Sequence, residues 1–239
     1  MCRSLVHYSR RPRRRIFPSP IIYAGCMPFS FPKIYPILDA STIPATGREE
    51  FLQRLGAELT DAGVTLLEYR NKTGTDAELL ADAAILRLAC PAGRVKLILD
   101  DRLDLVEQTN SDGVHVDAGD ATPIDARQLL GADRIVGTFG GSEALVPNIL
   151  NSPADYFSIG PVFATTTKQT SKPPIGADGV RRLREQAGPG PVLVAVGGVT
   201  LETARDILSA GASTIAVAAA IFRAADPASE FRRWVVALS

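Results

Sequence analysis

The sequence is poor in the residues that build covalent or metal frameworks: 239 residues carry three cysteines and two histidines. Cys2, Cys26 and Cys90 are odd in number and make no CxxC or Cys/His spacing, which argues against a disulfide framework and a zinc site and fits a reducing cytoplasm. No run of eighteen or more uncharged apolar residues occurs, so neither a membrane span nor a membrane partner is expected. Acidic residues are missing before Asp39, whereas Arg3, Arg10, Arg11, Arg13, Arg14 and Arg15 crowd the first fifteen positions. The formal net charge of zero therefore hides a basic tail on an acidic body. Such a tail suits a targeting segment or a nucleic-acid arm, but it lacks the apolar stretch of the first and the interleaved aromatics of the second. A mis-assigned start, with Met27 as the first residue, explains the same composition. Residues 1–29 are accordingly set apart as an extension, and no nucleic-acid partner is expected for the remainder.

What is present is a repeating pattern. With 46% apolar residues the chain is long enough for one large core. Short β-type runs are expected at 33–38, 65–70, 96–100, 113–116, 135–139, 156–160, 192–196 and 214–218. Amphipathic helices are expected between them at 49–61, 75–90, 103–109, 124–130, 143–150, 177–187, 201–210 and 227–238. Eight β/α units in this length predict a single TIM barrel over residues 30–239. The competing architecture, a doubly wound open sheet, would need a Gly-rich fingerprint after its first strand, and Leu38-Asp39-Ala40-Ser41 is not one.

A TIM barrel carries its chemistry on the C-terminal ends of its strands. In order these ends offer Asp39; Glu68, Arg70 and Lys72; Asp100 and Asp101; His115, Asp117 and Asp120; Thr138 and Phe139; Thr165, Thr167 and Lys168; Gly197 and Gly198; Ala218 and Ala219. Strand alternation turns Glu68, Arg70 and Lys72 to one side. Those cations answer an anionic ligand or an internal Glu68–Arg70 ion pair; with Lys168 across the mouth, three cations suit a diphosphate. Asp100, Asp101 and Asp120 supply the oxygen ligands that Mg²⁺ accepts, although Asp101 before Leu103 and Asp120 before Pro123 also stand where caps or turns are found. His115 suits an acid/base role and equally a hydrogen-bonded core position. The glycine pair at 197–198 and the alanines after the last strand leave backbone amides open to a phosphate, or simply make a tight turn. The loop Gly160-Pro161-Val162-Phe163-Ala164-Thr165-Thr166-Thr167-Lys168 reads in the same two ways, as a phosphate cradle or a connector.

From about Pro32 to the C-terminus, the ordered motifs YRNK, LILDDR, DGVHVDAGD, ADYFSIGPVFATTTK, VAVGGV and GAS with an apolar strand resemble the thiamine phosphate synthase family. The resemblance implies a transferase that joins hydroxymethylpyrimidine diphosphate to a thiazole phosphate, with Mg²⁺, and releases pyrophosphate. It implies that Arg70, Lys72 and Lys168 hold the diphosphate, with Glu68, Asp100 and Phe139 on the same substrate. It further implies Asp101 and Asp120 as Mg²⁺ ligands, and Thr165, Thr166, Thr167, Gly197, Ala218 and Ala219 around the thiazole phosphate. Several positions depart from the family pattern: Glu68 stands for Gln, Asp100 for Asn, Asp117-Ala118 for Gly-Gln, Phe139 for Ser and Ala219 for Ser. A thiazole tautomerase on the same barrel and a non-catalytic phosphate-binding relative are the alternatives. A homo-oligomer is compatible with the sequence, which has no heptad or distinctive surface stripe.

Overall fold

The computed structural model describes residues 29–117, 121–147, 149–165 and 171–239. Along these residues strands and helices alternate: β1 (Ile34–Asp39), α1 (Arg48–Asp61), β2 (Leu66–Arg70), α2 (Asp76–Ala89), β3 (Lys96–Asp100), β4 (Gly113–Val116), α3 (Pro123–Leu130), β5 (Ile135–Gly141), β6 (Tyr156–Ile159), α4 (Gly176–Ala187), β7 (Val192–Val196), α5 (Leu201–Ser209), β8 (Thr214–Val217), α6 (Ala219–Phe222) and α7 (Pro227–Leu238). Each strand pairs in parallel with the next, and β8 closes on β1 with Ile215 opposite Ile34. The eight-stranded barrel expected from the sequence is the fold observed.

Period-two alternation divides the apolar residues of each strand between two cores. Outward side chains such as Leu38, Leu67, Leu99, Val136 and Ile215 pack in the layer shared with the helices. Inward side chains Tyr35, Leu66, Ile98, Ile135, Tyr156, Val194 and Ala216 fill the barrel itself. Phe29 and Phe31, which precede β1, pack against this inner cluster, with the Phe31 ring 5.4 Å from that of Tyr156. Gly137 is required inside the barrel because the Tyr156 ring and hydroxyl occupy the space where a Cβ would stand.

Local chemistry sets the helix ends. Thr75 accepts from the backbone N–H of Glu78, and the Glu78 carboxylate accepts from that of Thr75, a reciprocal cap that starts α2. Thr122 and Asp125 do the same for α3, with Pro123 in its first turn.

Two expected helices are not formed. Residues 103–109 make only a 3-10 turn at Leu103–Leu105, and the Thr109 hydroxyl donates back to the carbonyls of Leu105 and Val106. Asn110, at φ 49°, then takes the chain out of helical geometry. The segment at 143–150 contains Pro147, whose missing N–H and ring oppose a helix interior; a 3-10 turn is found at Ile149–Asn151. The sequence reading also missed α6. No helix among the described residues is long and apolar enough to cross a membrane.

Candidate active site

The strand ends converge on a cavity of about 530 Å³. Its wall includes Glu68, Arg70 and Asp100 from β2 and β3, His115 and Asp117 at β4, Phe139 from β5, Thr165 after β6, Gly197 after β7, and Ala218 and Ala219 after β8. Lys72 and Asp101 join this wall through ion pairs at its edge. Asp120, Thr166, Thr167 and Lys168 lie outside the described residues.

On the β1–β3 side, each cation is shared among carboxylates. Arg70 pairs with Asp39 and sets its Nε 3.3 Å from Asp100 Oδ2. Lys72 Nζ lies 3.0 Å from the same Asp100 oxygen and pairs with Asp101. Burial would raise the Asp39 carboxyl, but hydrogen bonds from Ser41 and the Arg70 charge outweigh it, and the pKa falls below its ordinary value. Asp100 Oδ2 is buried and makes no aligned hydrogen bond, so it is held by charge alone.

Asp101 adopts φ 62°, a left-handed conformation uncommon outside glycine and one that recurs where backbone strain serves a site. It does not cap the following turn, whose N-cap is Arg102; instead its Oδ1 accepts from the backbone N–H of Asp117 at 3.0 Å. The cap before Pro123 is Thr122. Among the described residues no group of three or more His, Cys, Asp or Glu side chains is arranged to hold a metal ion. The hard oxygens of Asp101 and the orphaned Asp100 Oδ2 nevertheless suit a divalent cation chemically.

Glu68 does not form the internal ion pair with Arg70 that the sequence allowed. It is 4% exposed, and its Oε2 accepts from the Tyr35 hydroxyl at 2.6 Å. Burial first, and the Asp100 charge second, push its pKa up to about 8, against the pull of Tyr35, Arg70 and Lys72. From Tyr35 the contacts continue to the Tyr156 hydroxyl at 2.9 Å, then to His115 Nδ1 at 3.1 Å, while His115 Nε2 lies 3.5 Å from Ser158 Oγ. Both phenols are raised well above their ordinary pKa, by burial before any charge, and stay neutral. His115 is thus both a hydrogen-bonded barrel residue and part of the cavity wall.

Tyr35, Tyr156 and Ser158 were missed by the sequence reading. Continuing inward alternation back from Ile37, and along β6, would have found them.

The β6–β8 side is shaped by backbone. Gly197 and Gly198 have φ 97° and 65°, and a Cβ on Gly198 would strike the Ala164 carbonyl. Val162 and Phe163 donate their N–H groups to the carbonyls of Val196 and Gly197, both at 2.9 Å, so the loops after β6 and β7 are bound together. No side chain caps α6, whose first residues, Ala219 and Ala220, line the cavity with Ala218. On the loop between β6 and α4, Lys172 Nζ sits 3.8 Å from the centroid of the ring of Phe139 on the neighbouring β5.

The family described as thiamine monophosphate synthase matches residues 34–221. A thiamine-phosphate synthase of Koribacter versatilis is 38% identical over 203 residues, spanning 84% of this chain and 94% of that protein. One from Agrobacterium fabrum is 36% identical over 170 residues, 70% of this chain and 77% of its own. The solved structure of a thiamine phosphate pyrophosphorylase from Pyrococcus furiosus superposes with a TM-score of 0.69 over 86% of this chain and 95% of that one. At 24% identity this last likeness speaks for the fold alone.

Proposed function

Because the chain belongs to the thiamine monophosphate synthase family, we propose that it is the transferase joining 4-amino-2-methyl-5-hydroxymethylpyrimidine diphosphate to 4-methyl-5-hydroxyethylthiazole phosphate. The products are thiamine phosphate and pyrophosphate. The observation that carries this assignment is the meeting, in one cavity, of a cation–carboxylate wall at Arg70, Lys72, Asp100 and Asp101 with a backbone-lined pocket at Gly197, Ala218 and Ala219. Two phosphate-bearing substrates need two such anion sites.

Arg70, Lys72 and Lys168 bind the diphosphate and stabilise the charge that gathers on it as its bond to the pyrimidine methylene breaks. The thiazole nitrogen, held close by, captures the methylene cation, so the step needs no general base. Thr165, Thr166, Thr167, Gly197, Ala218 and Ala219 hold the thiazole phosphate through hydroxyls and amides. Glu68, Asp100 and Phe139 border the pyrimidine diphosphate. Asp101 and Asp120 would hold Mg²⁺, which would supply charge neutralisation to the diphosphate. A metal is well suited here, because Arg70 and Lys72 are already divided among Asp39, Asp100 and Asp101.

The division into two anion sites is tested with Lys168→Ala. Coupling is expected to be abolished while calorimetric binding of the thiazole phosphate is retained. Loss of thiazole phosphate binding together with coupling would refute the division.

A further inference from the structure

We propose that Asn71, oriented by the Tyr69 hydroxyl and the buried Arg48–Asp82 ion pair, is a positioning residue that sets the loop carrying Lys72 for the diphosphate; the inference rests on the synthase assignment above. Alternation along β2 separates two tasks. Glu68 and Arg70 turn to the cavity, whereas Tyr69 turns outward into the layer shared with the helices, where it is fully buried. Asn71 bonds to Tyr69 and stands immediately before Lys72.

The outer layer is apolar, so a carboxylate within it calls for a reason. Asp82, from α2, is 2% exposed. Arg48, the first residue of α1, meets it through two nitrogens, with Nε 2.8 Å from Oδ1 and Nη2 2.5 Å from Oδ2, and the Tyr69 hydroxyl donates to the same Oδ2. A buried ion pair adds little net stability, because desolvation offsets most of its attraction. What it fixes here is a proton. Burial, and then the bond to Asp82, hold the Tyr69 phenol above its ordinary pKa, so the hydrogen stays on the hydroxyl and points at the carboxylate. The Tyr69 oxygen is left to accept, and it does so from Asn71 Nδ2 at 3.2 Å. The Asn71 amide is thereby turned with Oδ1 toward the loop, where it accepts from the N–H groups of Gly74 at 2.7 Å and Thr73 at 3.3 Å. The backbone beyond Lys72 is thus tied to the residue before it. The fit is close, since a Cβ on Gly74 would lie 2.5 Å from Asn71 Nδ2.

Lys72 reaches from this frame to the mouth, its Nζ 3.0 Å from Asp100 Oδ2 and paired with Asp101. A second tether of the segment is exposed: Arg102 Nη1 donates to Asp76, the first residue of α2, at 2.6 Å, and the Asp76 side chain is 69% exposed. Exposed ion pairs contribute little. The buried route through Asn71 therefore carries the placement of the lysine. Holding that backbone in advance lowers the ordering cost that diphosphate binding would otherwise meet.

The test combines steady-state kinetics with calorimetric titration by inorganic pyrophosphate in Mg²⁺. It uses the full chain and the variants Asn71→Ala, Tyr69→Phe, Lys72→Met and the Asn71→Ala/Lys72→Met double variant, with far-UV circular dichroism as the folding control. Lys72→Met is expected to raise the pyrophosphate Kd about thirtyfold, the scale of one charge-assisted hydrogen bond. Asn71→Ala should raise it about tenfold and Tyr69→Phe about threefold, as a displaced binding group does. Because Asn71 acts through Lys72, the double variant should bind no more weakly than Lys72→Met alone. In turnover, Asn71→Ala should raise KM for the pyrimidine diphosphate about tenfold and leave KM for the thiazole phosphate within about twofold. A residue needed only for folding would lower the active fraction, and so kcat, with both KM values in place; that result would overturn the proposal. An unchanged pyrophosphate Kd in Asn71→Ala, additive losses in the double variant, or no pyrophosphate binding by the wild type would do the same. If Asn71→Ala does not fold, Tyr69→Phe decides, and a pyrophosphate Kd equal to that of the wild type overturns the proposal. The assignment on which it rests fails differently. A wild type that binds pyrophosphate through Asn71 and Lys72 but makes no thiamine phosphate refutes the synthase and keeps the positioning residue. A wild type that couples, with Asn71→Ala indistinguishable from it, refutes the positioning role alone.

Discussion

At Glu68, burial outweighs every neighbouring charge. The carboxyl is raised from its ordinary value of 4.5 to about 8, so the folded protein holds a proton there that the unfolded chain has released. Stability linked to this group is fully present below pH 4.5 and is lost as pH rises toward 8, since folding must then keep a protonated acid or bury a carboxylate. Glu68→Gln has no proton to lose, and its stability should fall less than that of the wild type between about pH 5 and 8. Urea unfolding across that range checks this; parallel curves would place the charged form of Glu68 in the folded protein throughout. Tyr156 tests the chain of contacts beside it. Removing its hydroxyl in Tyr156→Phe leaves the Tyr35 hydroxyl and His115 Nδ1 each one partner short, which should cost about 1–3 kcal/mol of unfolding free energy. A loss below about 0.5 kcal/mol would mean that water or a shift of His115 replaces the bond.

At the scale of the element, small residues decide which pieces can approach. Tyr156 crosses the barrel only because Gly137 yields the space beside β6. Gly137→Ala should therefore destabilise by about 1–3 kcal/mol, as overpacking does. Gly190→Ala, where a Cβ meets nothing within 4 Å, should lie within about 0.5 kcal/mol of wild type. Chemical denaturation of both variants compares them directly, and equal effects would contradict the packing role of Tyr156.

The strands were legible because their alternation is strong and their ends carry charge, as at Glu68 and Arg70. The helices expected at 103–109 and 143–150 were not formed, for physical reasons visible at single residues. Thr109 bonds back to its own turn, and Pro147 withholds an amide. Of the site, Arg70, Asp100, Phe139 and Gly197 lie on the cavity wall. The pairing of Phe139 with Lys172 was hidden, because it joins a strand and a loop remote in sequence, and no local pattern encodes such a contact. The Asp101 backbone at φ 62° was equally hidden, since an aspartate in a helical cap and one in a left-handed turn share the same letter.

For the molecule as a whole, barrel closure turns separate strand ends into facing walls. β2 and β3 bring cations already bound to carboxylates, β7 and β8 bring backbone, and β5 with the loop after β6 brings an aromatic-seated lysine. Two phosphorylated heterocycles can then be held in one cavity with their reacting atoms together. The deciding measurement is pyrophosphate release by the purified full chain supplied with the pyrimidine diphosphate, the thiazole phosphate and Mg²⁺, with thiamine phosphate quantified in the same samples. Equal amounts of pyrophosphate and thiamine phosphate are predicted, with the yield abolished when either substrate is withheld. Binding of both substrates without formation of either product would contradict the account.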